Sequence, residues 1–290
     1  MGGLGNQMFQ YAAARRLALR HGTEVRLDLS WFADHRKEAC AREFALDQFD
    51  CSAAAASARE IPQCASASGP IQGLMRLLRG KDRSGSLRMV QEKQFHFDSA
   101  LLDAPDQVYL IGYWQSERYF LDVADTIRRD FTPKLCLHGQ SGEVARVIAG
   151  IPAVSVHVRR GDYADTPSTN AVHGTCSPEY YRAALELVAQ RVRDPHFFVF
   201  SDDIWWCREH LPSAHRMTFV DHNGPDRTHE DFHLMSMCRH HIIANSSFSW
   251  WGAWLAPRPD KIVIAPSRWF KDCAVDTTDL IPASWLRIGL

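Results

Sequence analysis

The chain has 290 residues, enough for two α/β domains, with 46% hydrophobic and 23% charged residues, the composition of an ordinary globular protein. Its formal net charge of -1 provides no global basic field for nucleic acid or an anionic membrane surface, so any bound polyanion must be small and held by local arginines. No apolar run reaches the roughly 18–20 residues of a membrane span, and no secretory signal opens the chain. The expected compartment is therefore the cytoplasm. The 8 cysteines include no CxxC pair and no zinc-like Cys/His spacing, which predicts reduced and mostly buried thiols.

In chain order, Met1-Gly-Gly-Leu-Gly-Asn-Gln7 opens a helix running from Asn6 to about His21, which Gly22 stops. Val25–Leu29 alternates as a strand. Residues 51–90 are rich in Ala, Ser, Gly and Arg, with one short helix expected at Ile71–Arg79. Val108–Trp114 reads as a strand and Tyr119–Arg129 as a helix. Pro133 and the Gly139–Gly142 stretch interrupt the pattern, which sets a boundary near residues 135–145.

The second half alternates more clearly. Strands are expected at Ala153–Val158, His196–Phe200, His241–Ala244 and Lys261–Ala265. Helices are expected at Pro178–Val192, Glu230–Cys238 and Phe248–Leu255. That alternation predicts a parallel, doubly wound sheet, whose ligand crevice lies beyond the strand C-termini.

Three segments fall where such a crevice would be. His157-Val-Arg-Arg-Gly-Asp-Tyr163 follows a strand and offers two guanidinium forks suited to phosphate oxygens; the plain alternative is a surface turn with an Arg–Asp ion pair. Ala244-Asn-Ser-Ser-Phe-Ser-Trp-Trp-Gly-Ala253 runs from a strand into a helix start. There Ser246, Ser247 or Ser249 can cap, and an anion is favoured, while the tryptophans read as packing residues. Gly2-Gly-Leu-Gly-Asn-Gln7 departs from GxGxxG at Met8, so it reads either as a close-approach loop or as an ordinary tight turn.

Two acidic sites add to these. Ser201-Asp202-Asp203 ends a strand. Glu230-Asp231 opens a helix, where Glu230 complements the helix dipole and Asp231 is free to accept hydrogen bonds from a base. His229-Glu230-Asp231-Phe232-His233 formally matches HExxH, but no Glu follows Glu230 and no third His takes the required position, so a zinc hydrolase is set aside. No Asp-x-Asp pair occurs, so arginines and helix N-termini are expected to neutralise a donor diphosphate without a metal.

Together these segments resemble the bacterial α-1,2-fucosyltransferases over most of the chain. The carriers are Gly2–Tyr11, His157–Tyr163 and Asn245–Trp254, with Phe200-Ser-Asp-Asp203 as a weaker fourth. The resemblance implies an α/β fold of GT-B type, two Rossmann-like domains facing a cleft. Residues 1–138 would be the acceptor-side domain and 139–290 the GDP-fucose-binding domain. It implies transfer of fucose from GDP-β-L-fucose to the 2-hydroxyl of a galactoside, with inversion, no cofactor and no metal.

By the same likeness Arg159, Asp162 and Asn6 are catalytic. His157 and Arg159 contact the diphosphate, Arg160 and Asp162 hold the loop, Asp231 reads guanine, and Asn6 lies near the fucosyl phosphate. Gly5, Gln7, His157, Arg160, Asp202, Asp231, Asn245, Ser246, Ser247 and Phe248 form the binding set. Asp162, Asp165, His173 and the donor phosphate all stay open as the proton acceptor. The implied partners are GDP-fucose and a glycan ending in β-galactose, met at the cytoplasmic face of the inner membrane through the acceptor; in a Golgi setting the anchor would lie outside this chain. Family members place a short apolar strand ahead of the glycine loop, whereas Met1 stands directly before it here, so a sheet lacking that strand is expected. Another GDP-sugar, a protein acceptor, or a nucleotide-sugar-binding module without turnover are the alternatives.

Overall fold

The computed structural model describes residues 1–35, 42–62, 87–212, 214–272 and 274–289. The helix expected at Ile71–Arg79, and Cys40, Cys64 and Cys273, lie outside the described residues. Two compact units divide at Phe131/Thr132. The fold class is the expected α/β one, with two units built on parallel strands, as in the GT-B type.

In the first unit, helix α1 (Leu4–His21) carries the core, with Met8, Phe9, Tyr11, Ala12 and Ala13 buried on one side. It ends where Gly22 takes a left-handed φ of 65°, the conformation that glycine adopts without a Cβ penalty. Strand β1 (Val25–Leu27) pairs in parallel with β2 (Ala53–Ala55), and β3 (Arg88–Gln91) with β4 (Val108–Ile111), as two separate ladders. Tyr109 of β4 donates a hydrogen bond to Asp28, just past β1, at 2.6 Å. A short helix, α2 (Ser30–Asp34), follows β1, and α3 (Ala124–Asp130) closes the unit. The helix expected from Tyr119 is instead two 3-10 turns leading into α3. Asp130 ties the unit's end back to α1, accepting from Tyr11 at 2.6 Å and from Arg15 at 2.8 Å.

The second unit is a doubly wound sheet. Its strands are β5 (Ala153–Val158), β6 (His196–Ser201), β7 (Met217–Phe219), β8 (His240–Ile242), β9 (Val263–Pro266) and β10 (Leu286–Ile288), all paired in parallel in the order β10-β9-β8-β5-β6-β7. β5 is buried along its whole length, as a central parallel strand must be. Its side chains alternate. Val154, Val156 and Val158 pack with Tyr181, Leu185 and Val188 of helix α7 (Pro178–Ala189) in one core, while Ala153 joins Phe198, Leu234 and Met235 in the other.

The remaining helices are α4 (Gly139–Gly150), α5 (Gly161–Asp165), α6 (Pro167–Val172), α8 (Ile204–His210), α9 (Thr228–Met237) and α10 (Ser247–Leu255). The Gly139–Gly142 stretch, read from the sequence as an interruption, is the first turn of α4. Trp250, Trp251 and Trp254 are buried packing residues. Cys207 and Cys238 are buried free thiols, but Cys136 is exposed. Among the described residues no helix is long and apolar enough to cross a membrane.

The chain leaves β5 toward β6 and β7, then returns to β8 on the other side of β5. The C-terminal ends of β5 and β8 therefore flank the topological switch point, where open α/β sheets bind their ligands.

Candidate active site

From the end of β5 the chain supplies His157, Arg159 and Arg160, and α5 begins at once with Gly161 and Asp162. From the end of β6 come Asp202 and Asp203. Arg159 lies between two carboxylates, pairing with Asp162 and forming an ion pair with Asp202, Nη1 to Oδ2 at 2.8 Å. Its guanidinium also lies over the Tyr163 ring, 5.3 Å from the centroid. Asp202 also accepts a hydrogen bond from the Arg160 backbone N–H at 2.8 Å.

The Asp202 arrangement explains Gly161. A Cβ there would stand 2.5 Å from Asp202 Oδ2, and the residue has no positive φ, so the glycine serves the approach of the carboxylate.

Arg160 points elsewhere. Its Nε reaches Asp203 at 3.4 Å and its guanidinium covers the Trp206 ring at 4.2 Å. Asp203 also caps α8, accepting from the Trp206 N–H at 3.1 Å. The two arginines thus have different partners, and Asp162, considered as a brace for Arg160, pairs with Arg159. The i, i+3 spacing from Asp203 to Trp206 was the available sequence signal for the Arg160 platform.

His157 is buried on the β5 face opposite the valines, packed 5.6 Å from the Phe248 ring. Burial, with Arg159 nearby, lowers its pKa to about 3, so the ring is neutral, and its buried Nδ1 has no hydrogen-bond partner. Tyr181 donates to the His157 carbonyl at 3.2 Å and fixes the strand end.

Across the switch point, Ser246 occupies the N-cap position of α10 with extended φ and ψ, yet no side chain caps the helix. Ser249 donates its hydroxyl to the Ser246 carbonyl at 3.2 Å instead. The Ser246 side chain thus makes no capping hydrogen bond at a helix start, the kind of position whose dipole favours an anion. Phe248, in that first turn, meets Phe232 at 5.4 Å as well as His157, so α9 and α10 converge on the end of β5.

Asp231 lies in the first turn of α9, where burial raises its pKa to about 6 against a hydrogen bond from Asn223 Nδ2 at 2.7 Å. Among the described residues no group of three or more His, Cys, Asp or Glu is disposed to hold a metal ion.

Two expected binding residues are spent on the protein itself. The Asn245 amide nitrogen donates to the carbonyls of His173, Gly174 and Trp269 at 3.0–3.3 Å, and its oxygen accepts from Cys176. It is a buried spacer between loops rather than a ligand contact. Gln7 bonds the Gly2 and Glu43 carbonyls at 2.9 and 2.8 Å and the Ala45 N–H at 3.0 Å, satisfying both ends of its amide inside the first unit. Gly5 is buried in α1 beside it. Asn6 is half-buried, its Oδ1 accepting from Gln115 at 2.8 Å, under a Gly2 whose φ of 78° and lack of a Cβ leave it room. The structure therefore groups His157, Arg159, Arg160, Asp162, Asp202 and Phe248 around the switch point. Ser246 and Ser247 lie at its other side, Asp231 at the start of the adjoining helix, and Gly5, Asn6 and Gln7 in the other unit.

A doubly wound sheet with clamped arginines on one side of its switch point and a helix N-terminus on the other is the arrangement of an α/β protein with its candidate site at the strand C-termini. The chain belongs to glycosyl transferase family 11, whose model matches residues 91–288, and it is thus a glycosyltransferase. It is 34% identical to an Escherichia coli alpha-1,2-colitosyltransferase over 99% of this chain and 96% of that protein. It is 30% identical to the Escherichia coli O-antigen biosynthesis glycosyltransferase WbnK over 99% and 98%. A Rattus norvegicus galactoside alpha-(1,2)-fucosyltransferase 1 matches at 33% identity over 51% of this chain and 41% of its own length.

Proposed function

We propose that the chain transfers L-fucose from GDP-β-L-fucose to the 2-hydroxyl of a galactoside, forming an α-1,2 linkage with inversion. The carrying observation is that the Arg159 guanidinium is fixed by Asp162 and Asp202 at the end of β5, the strand whose neighbour β8 leads into the start of α10. Breaking the fucosyl–phosphate bond leaves charge on GDP. A fixed guanidinium and a helix N-terminus stabilise charge that grows in the transition state, because their dipoles are already oriented and need no reorganisation. Asp162 and Asp202 hold the Arg159 fork from behind, and the neutral His157 adds a ring N–H for the diphosphate. Arg160 keeps the loop on α8. Asp231, its pKa raised to about 6 by burial and so mostly ionised at neutral pH, is matched to the N1 and N2 donors of guanine, and Ser246, Ser247 and Phe248 border the nucleotide.

On this reading residues from 139 onward bind the donor, the first unit takes the acceptor, and Asn6 keeps the catalytic role that the resemblance gives it. No metal or cofactor takes part. The names of the E. coli relative and of the rat enzyme support the α-1,2 regiochemistry. They also leave a second donor in view, because the full-length relative is a colitosyltransferase; colitose is fucose without its 3-hydroxyl, so the two donors share the GDP site. The name of WbnK, an O-antigen biosynthesis glycosyltransferase, supports a glycan acceptor, which the enzyme would meet at the cytoplasmic face of the membrane. The test is a donor panel. GDP-fucose, GDP-colitose and GDP-mannose are each incubated with a β-galactoside array, and released GDP is measured. Turnover of GDP-fucose supports the proposal; turnover of GDP-colitose alone replaces the donor and keeps the site.

A further inference from the structure

The loop from Tyr163 to Cys176 is held more firmly than a surface crossover requires. Asn170 donates its amide to the Tyr163 carbonyl at 2.5 Å. The Lys271 backbone N–H bonds the Val172 carbonyl at 2.9 Å, and its ammonium group pairs with Asn170. Gly174 takes a φ of 63°, and a Cβ there would meet the Lys271 side chain at 2.8 Å. Asn245, from the Ser-rich segment itself, completes the clamp on the His173 and Gly174 carbonyls.

What this scaffold fixes is one ring. His173 stacks on Tyr163 with centroids 4.5 Å apart and planes 9° apart, and also meets Phe270 at 5.3 Å with a tilt of 45°. Tyr163 carries Arg159 over its face. The column therefore runs Arg159, Tyr163, His173, Phe270, two rings away from the guanidinium. The His173 Nδ1 is buried with no hydrogen-bond partner. An imidazole packed against two rings with an unpaired nitrogen forgoes a hydrogen bond that most buried polar atoms make, as groups kept for chemistry do.

We propose that His173 is the general base that takes the proton of the acceptor hydroxyl, and that Asn245 is the residue positioning it. The proposal rests on the glycosyl-transfer reading of the Arg159 site. In the step, the acceptor oxygen forms a bond to the anomeric carbon while the bond from that carbon to the phosphate oxygen breaks. The bonding pair leaves with GDP, the hydroxyl proton passes to the imidazole, and the imidazolium then releases it to solvent. Attack comes from the face opposite the leaving phosphate, so base and arginine must stand apart, and the Tyr163 ring keeps them apart. A base must also be neutral before it acts. Burial lowers the His173 pKa, with Arg159 acting in the same direction and the Asp162 carboxylate opposing. The charged groups acting on it are Asp162 on α5 and Arg159 after β5, and Tyr163 and Phe270 are its ring neighbours.

The experiment compares wild type, His173→Ala, His173→Gln and Asn245→Ala by GDP release from GDP-fucose with the best β-galactoside acceptor, alongside GDP binding by calorimetry. We expect His173→Ala to lower kcat about 10²–10⁴-fold, with the GDP Kd within threefold of wild type. The acidic limb of the kcat–pH profile should disappear in the variant, and added imidazole should restore part of the rate. Asn245→Ala should lower kcat while keeping that acidic limb. His173 variants within threefold of wild-type kcat, or an unchanged acidic limb, overturn the proposal. So does a loss of GDP binding parallel to the loss of rate, which would make the ring only a structural prop. If wild type itself leaves GDP-fucose intact, the donor reading fails instead, and the same variants are assayed with the donor the panel identifies.

Discussion

Gly161→Ala separates the rate of this enzyme from its stability. The added methyl would lie 2.5 Å from Asp202 Oδ2, so the carboxylate must move. Moving it breaks or stretches the 2.8 Å contacts with Arg159 Nη1 and with the Arg160 N–H. A hydrogen bond to a charged group contributes ~1.5–3 kcal/mol when shielded. Asp202 has a side-chain exposure of 26%, so water recovers part of each. Alanine at the first position of α5 regains up to ~1 kcal/mol of helix propensity over glycine. The net loss of stability is then about 1–3 kcal/mol, a fall in Tm of roughly 2–4 °C per kcal/mol for a unit of this size.

The rate is affected more. A preorganised charge-stabilising donor displaced from its position costs on the order of 10²–10³ in kcat. We therefore expect a folded Gly161→Ala protein with kcat/KM down about 100-fold and a modest shift in Tm, measured by GDP release and differential scanning fluorimetry. A variant with kcat/KM within threefold of wild type would show that the Asp202 clamp on Arg159 is dispensable.

Three further outcomes follow from the same site. Arg159→Lys keeps the charge but loses the fork held by Asp162 and Asp202, and should lose about 10²–10³ in rate; near wild-type turnover would place the diphosphate elsewhere. Asp231 has a folded pKa raised from 3.8 to about 6, so the folded state binds the extra proton between those values, and this stabilisation is present below pH 4 and lost as pH rises through 6. Asp231→Asn should therefore raise Tm at pH 8, by up to ~3 kcal/mol of stability, while weakening GDP binding at least tenfold. Unchanged GDP affinity in a calorimetric titration would remove Asp231 from guanine recognition. Transfer should persist in excess EDTA, and activity lost there and restored by Mn²⁺ would contradict the metal-free mechanism.

His157 gives a stability signature of opposite sign. Its folded pKa is lowered from 6.5 to about 3, so below pH 6.5 the unfolded chain takes up a proton that the folded one refuses. Stability from this group is full above pH 6.5 and falls by about 1.4 kcal/mol per pH unit toward pH 3. His157→Gln should flatten that part of the Tm–pH curve; an unaltered slope would mean that the ring protonates freely in the folded state.

The second unit was legible because its buried parallel strands are near-continuous apolar runs. Ala153–Val158 and His196–Ser201 appear almost where the sequence puts them. The short edge strands Met217–Phe219 and Leu286–Ile288 were not, since three residues carry no periodicity and are set by pairing with a neighbour. Helix Gly139–Gly150 was hidden by its glycines: Gly139 sits at a φ of 54°, while a Cβ on Gly142 would come within 3.0 Å of the Leu137 carbonyl, so both serve the helix start instead of breaking it. At the site, the residue types at the strand ends were readable, but their partners were not. That Asp162 takes Arg159 and Asp203 takes Arg160, and that Asn245 and Gln7 face inward, depends on which loops fold against each other. Linear spacing does not encode that.

The central claim is that Arg159 and the α10 N-terminus serve fucosyl transfer from a GDP donor. The most direct measurement is the product itself. The purified chain is incubated with GDP-β-L-fucose and the best β-galactoside of an array, and the glycan is analysed by NMR for anomeric configuration and linkage. The account predicts an α-fucosyl residue on the galactose 2-hydroxyl, with stoichiometric GDP release. A β-linked product, attachment at another hydroxyl, or no product from GDP-fucose while another nucleotide sugar is turned over would contradict it.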